Sequence, residues 1–150
     1  MRWVYDDGGR VAAGFRGDAS DCVVRSIAIV TGRPYREIYA GITELALLEK
    51  YRRGRVGFEA AVGRRSSARD GVLKVTRNAY IDTLGLEWTA TMRIGSGCRV
   101  HLRDGELPMG RLLVACSQHL TAVIDGVIHD THDPGRDGTR CVYGYWAARP

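Results

Sequence analysis

The chain has 150 residues, 45% hydrophobic and 26% charged, with 22 Lys or Arg against 17 Asp or Glu and a net charge of +5. These are the proportions of a globular domain long enough to bury a core, and they exclude a disordered chain. No apolar run approaches the roughly 20 residues of a membrane span, and "MRWVYDDGGR" lacks the apolar stretch of a signal peptide, so the expectation is a single cytoplasmic domain over 1–150 with no membrane partner.

The first element follows "GDASDCVVRSIAIVTG". Val23, Val24, Ile27, Ala28 and Val30 can share one broad helical face. Asp18, Ser20 and Asp21 offer capping oxygens ahead of it, and Gly32 can end it. Pro34 suits the start of a second helix, which "REIYAGITELALLEKYRR" continues with Ile38, Ile42, Leu45 and Leu48 at helical spacing. Between Lys50 and Arg77 lie nine Lys or Arg and two acids, a net +7, so the remaining residues sum to −2. That stretch includes "GRRSSARDG" and reads as a basic loop, about 50–77, suited to an acidic or nucleic-acid partner. "VTRNAYIDTLG" reads as a third, shorter helix, capped by Thr76 or its neighbour and closed by Gly85.

From there the pattern changes. "LEWTATM", "RLLVACS", "HLTAVID", "GVIHDT" and "RCVYGYW" are short, rich in β-branched and aromatic residues, and broken by Gly, Asp and Pro. They read as strands. Helices followed by strands give an α+β class, N-terminal helices packed on a C-terminal antiparallel sheet. Trp88 and Trp146 fit core and rim positions better than a base-stacking platform. "IGSGCRVH" around Cys98 is a Gly-rich loop that can border a cleft, but it is no phosphate loop.

Asp125-Gly126 between two apolar runs is a strong hairpin signal. With these two as the turn, Ile124 faces Val127, Val123 faces Ile128, Ala122 faces His129, and Thr121 faces Asp130. Directly opposed residues share a side of the sheet, and one step of two from Thr121 reaches His119. The register therefore makes His119 and Asp130 diagonal neighbours and sends His129 to the other side.

The four cysteines, Cys22, Cys98, Cys116 and Cys141, form no close pair. Without a secretion signal they are expected to be free thiols. His129, His132 and Asp133 make a poor metal set, so no metal and no cofactor are expected. Cys22 stands apart because a helix N-terminus favours a thiolate. A histidine beside it can take the proton, and an acid can hold the imidazole.

"DC" opening an apolar helix, "H" opening a strand and an acid on the next strand resemble the papain-like cysteine peptidases. The likeness is greatest to their small bacterial and phage branches, including the leader-processing C39-like group. It covers 18–32 and about 111–146. The chain also resembles uncharacterised phage and bacterial proteins carrying "DCVVR" and "HLTAVIDGVIHDTHDP". The resemblance implies a papain-like fold, no metal, and a Cys22, His119, Asp130 triad cleaving a peptide, isopeptide or other amide through a thioester. A transglutaminase-like acyltransferase uses the same triad, and a non-catalytic protein binding through the basic segment is the third reading. The glutamine that papain-like enzymes place before the cysteine is missing here. Asp18 and Gln118 are the candidates for shaping the oxyanion site, and Asp133 in "HDPG" is the alternative acid.

Overall fold

The computed structural model describes residues 1–55 and 66–150, at 50–55 the backbone alone. In chain order the elements are β1 (Arg2–Tyr5), α1 (Cys22–Thr31), α2 (Tyr35–Arg55), α3 (Lys74–Asp82), β2 (Leu86–Ala90), β3 (Arg111–Cys116), β4 (His119–Ile124), β5 (Val127–Asp130) and β6 (Gly144–Ala148). The strands form one sheet in the order β1-β5-β4-β3-β6-β2.

The α+β class stands, but the sheet is mixed rather than antiparallel. β1 runs parallel to β5, with Trp3 beside Ile128 and Tyr5 beside Asp130. Four residues ahead of a turn carry too little pattern to read as a strand, and only the exposed edge of β5 organises them. The last strand is also displaced. The reading "RCVYGYW" begins too early, because Cys141 makes an isolated bridge to His101 and regular pairing starts at Gly144.

The central hairpin keeps the register its turn dictates. Ala122, Val123 and Ile124 oppose His129, Ile128 and Val127. Asp125 and Gly126 both have positive φ, 46° and 78°, as a type I′ turn requires. Alternation along β3 divides the core into two layers. Leu113 and Ala115 join Leu120, Ala122 and the α1 residues Val24 and Ile27 on one face. Leu112 and Val114 join Val123, Ile128 and Leu102 on the other.

α1 is the central helix, buried at every position from Val23 to Val30, including Arg25 and Ser26. It lies on β4, β3 and β5 with α2 against it, so no side is left for water. Its end matches expectation, with Gly32 in the left-handed conformation. Its start does not: Asp21 is the N-cap residue but makes no side-chain cap bond. α2 buries Ile38 and Ile42 fully, whereas Leu48 is exposed. α3 has Leu73, not Thr76, at its N-cap. Thr76 is buried inside the helix, with its hydroxyl donating to Glu49 at 2.6 Å.

The expectation of four free thiols is overturned. Cys98 and Cys141 form a disulfide with Cα atoms 5.8 Å apart and a sequence separation of 43. Backbone pairing brings them together: Leu102 N–H donates to Arg140, and Val142 N–H donates to Val100. No spacing rule reveals such a pair, because its partners meet only across a loop. Disulfides persist in oxidising compartments, so this one weighs against the premise behind the cytoplasmic expectation. No described helix is long and apolar enough to cross a membrane. Reducing the disulfide is expected to lower stability by about 2–4 kcal/mol, the usual contribution of a bridge closing a loop of this size. Denaturant melts with and without reductant measure it, and a Cys98→Ser, Cys141→Ser variant should reproduce the reduced curve.

Candidate active site

Cys22 is the first residue of α1 and is only partly buried. The amides at the start of a helix lack intrahelical acceptors and carry the positive end of the dipole. The approach to Cys22 is held by Arg10, whose guanidinium donates to the carbonyls of Arg16 and Gly17 at 3.1 and 3.0 Å. On the other side, the Ser20 N–H donates to the Arg69 carbonyl at 2.8 Å.

His119 opens β4, and Asp130 closes β5. His119 Nε2 meets Asp130 Oδ2 at 2.7 Å, and Thr121 Oγ1 donates to the same oxygen at 2.7 Å. This is the pairing that the register implies. With Nε2 committed to Asp130, Nδ1 is the ring nitrogen left for Cys22. Asp130 Oδ1 accepts from the Thr131 N–H at 2.7 Å and from Arg25 at 3.2 Å. The carboxylate is 3% exposed and four donors surround it, so it stays ionised.

The three groups perturb one another in a consistent sense. Burial alone would raise the Cys22 thiol, but hydrogen bonding and charge from His119, with help from the Leu120 amide and Arg25, bring it below its ordinary value. Burial alone would lower His119, but Asp130 and Cys22 raise it to about 9. Burial would raise Asp130, yet His119 and Thr121 bring it down to about 2. A lowered thiol facing a raised imidazole is the signature of a thiolate–imidazolium pair. Cys116, the other thiol, is the reverse case: burial pushes it up to about 11.

The remaining sequence candidates fall elsewhere. Asp133 is exposed and accepts the Gly135 N–H at 2.8 Å, so the acid on His119 is Asp130. Gln118 is exposed, in the tight turn between β3 and β4 with φ 53°. Asp18 is exposed too, and its carbonyl accepts from Arg69 at 3.3 Å. Neither side chain has a described bond toward Cys22. His129 pairs with Asp6 at 3.1 Å. His132 packs at a tilt against the His119 ring, centroids 5.0 Å apart, so His129 and His132 do not converge. No metal-binding group of three His, Cys, Asp or Glu occurs among the described residues.

Residues 56–65 of the basic segment lie outside the described residues, and with them Arg64 and Arg65; the side chains of Arg52 and Arg53 are likewise not described. The described end adjoins the site, through Arg69 at the approach to Cys22 and through Arg77. The Arg77 guanidinium lies over the Trp146 ring, 5.1 Å from its centroid. Burial lowers its pKa, and the charge of Cys22 opposes that.

Several residues were missed by sequence reasoning. Its position before α1 suggests that Asp21 caps the helix, but its carboxylate binds Arg25 and accepts from the Tyr35 hydroxyl at 2.6 Å. Arg10 in turn donates to that hydroxyl at 3.1 Å. The available signal was Arg25 itself, a charge set within an apolar helix, because such a residue is buried only when paired.

No family model, curated protein or solved structure matches this chain.

Proposed function

We propose that the protein is a cysteine hydrolase acting on a peptide, isopeptide or other amide through Cys22, His119 and Asp130. The observation that carries this reading is the line of three groups: a helix-start thiol with lowered pKa, an imidazole beside it, and a buried carboxylate 2.7 Å from the far ring nitrogen. The resemblance to papain-like peptidases points the same way, and Nε2 toward the acid leaves Nδ1 for the thiol.

In this reading the Cys22 thiolate attacks the carbonyl carbon and forms the C–S bond. The carbonyl oxygen becomes an oxyanion, for which the Cys22 amide at the helix start is the available donor. His119 gives its proton to the leaving amine as the C–N bond breaks, and a thioester remains. Water then attacks with neutral His119 as base, releasing the acid and restoring the thiolate–imidazolium pair. Asp130 keeps the ring oriented and stays ionised throughout, without taking the imidazole proton. Arg77, coupled to the charge of Cys22, and Arg69, bound to the Asp18 carbonyl on the approach loop, favour an acidic group in the substrate.

The test is acylation by p-nitrophenyl acetate followed by intact mass measurement. The expected result is a burst of nitrophenol with one acetyl group on Cys22, lost in His119→Ala. Hydrolysis of that thioester in buffer supports the hydrolase, whereas preferential transfer to added glycinamide replaces it with the acyltransferase. Absence of both burst and adduct, with an ordinary Cys22 pKa, leaves only the non-catalytic binding protein.

A further inference from the structure

Asp130 divides its two oxygens between two cations. Oδ2 takes His119 and Thr121, while Oδ1 takes the Thr131 amide and Arg25. Arg25 comes from α1, three residues after Cys22, and is 7% exposed. Its other end is bound to Asp21, which is 1% exposed and held in turn by Tyr35 and Arg10. A chain of buried polar contacts thus runs from the His119 ring to the loop before Cys22. Its two acids and two arginines balance, so the acid behind His119 has a second counterion.

We propose that Arg25 is a positioning residue that fixes the carboxylate of Asp130 and shares its charge, which sets the proton affinity of the Cys22–His119 pair. This deepens the cysteine-hydrolase reading and rests on it. An Asp130 devoted wholly to His119 would hold the imidazolium too tightly to protonate a leaving amine. Arg25 draws part of that charge away and, being near Cys22, also favours the thiolate. Both effects have the same sign. Removing the guanidinium raises the pKa of Cys22 and of His119 together.

The charged and titratable groups around the pair are Asp21 before α1, Arg10 from the loop after β1, Tyr35 from α2, Arg77 from α3 and His132 after β5. All are retained in Arg25→Gln, so a shift there reports the Arg25 charge. The experiment follows the pH dependence of Cys22 alkylation by iodoacetamide and the NMR titration of the His119 ring. Arg25→Gln is expected to move both midpoints upward by roughly one pH unit, the scale of a charge partner at close range. Arg25→Lys, which keeps the charge, is expected to recover at least half of the shift.

If Arg25→Gln strands Asp21 and fails to fold, Asp21→Asn with Arg25→Gln removes both charges together, and its His119 midpoint is expected to rise as well. A folded variant without Arg25 whose His119 midpoint stays within about 0.2 pH unit of the wild type overturns the proposal, because Arg25 is then structural support alone. A wild type whose Cys22 titrates like an ordinary thiol sinks the hydrolase reading instead, so the two failures are distinguishable.

Discussion

Iodoacetamide at pH 6 is expected to label Cys22 and leave the other three cysteines intact. The thiolate is the reactive form, so the comparison turns on thiolate fractions. Cys116, pushed up to about 11, has only ~10⁻⁵ of its thiol ionised at pH 6, by the tenfold change per pH unit. Cys98 and Cys141 are joined as a disulfide and offer no thiolate until reduced. Cys22 has a pKa below its ordinary value and is partly exposed, so its labelling should exceed that of Cys116 by at least about a hundredfold. Peptide mapping after a short pulse measures the ratio. His119→Ala should slow the Cys22 reaction at pH 6 and shift its midpoint upward, because the thiolate then loses its cation. Equal labelling of Cys22 and Cys116 would contradict the ion pair.

Asp130→Ala is expected to lower stability by about 3–5 kcal/mol, the usual penalty for removing one partner of a buried ion pair. The truncation strands Arg25 on one side, leaves His119 without its acceptor, and deprives Thr121 and the Thr131 amide of theirs. For a chain of this length the loss corresponds to roughly 6–20 °C in melting temperature. Asp130→Asn keeps the shape and part of the hydrogen bonding and should lose less, while still lowering the His119 pKa. The wild type carries a pH signature of the same contacts. Asp130 falls from 3.8 to about 2 on folding, so its contribution is present above about pH 4 and disappears as the pH drops toward 2. His119 rises from 6.5 to about 9, so its contribution is complete below about pH 6.5 and is lost as the pH climbs through 9. Stability should therefore be highest between about pH 4 and 6.5 where these two groups decide it, and the alkaline decline should shrink in Asp130→Asn, leaving the part that Cys22 contributes. An unchanged alkaline slope in that variant would show that Asp130 is not what holds the His119 proton.

Local grammar alone determined much of this molecule. The apolar period after Cys22 and the glycine at 32 gave α1 its limits, because both are properties of a dozen consecutive residues. Asp125-Gly126 imposed the hairpin register, and with it the meeting of His119 and Asp130, because a two-residue turn leaves one way to pair the strands. What depended on distant chain was not legible. β1 is four residues that become a strand only against the edge of β5. Cys98 and Cys141 meet because strand-like pairing near His101 closes a long loop. Asp21 looked like a helix cap, since a carboxylate before a helix is normally solvated and free to bind its amides. Burial decided otherwise: once α1 was enclosed between sheet and α2, Arg25 needed counterions, and Asp21 and Asp130 were the acids within reach. Tertiary structure thus turned two separately readable features, a helix-start thiol and a histidine–acid hairpin, into one electrostatic unit, because only packing removes the water that would otherwise screen them.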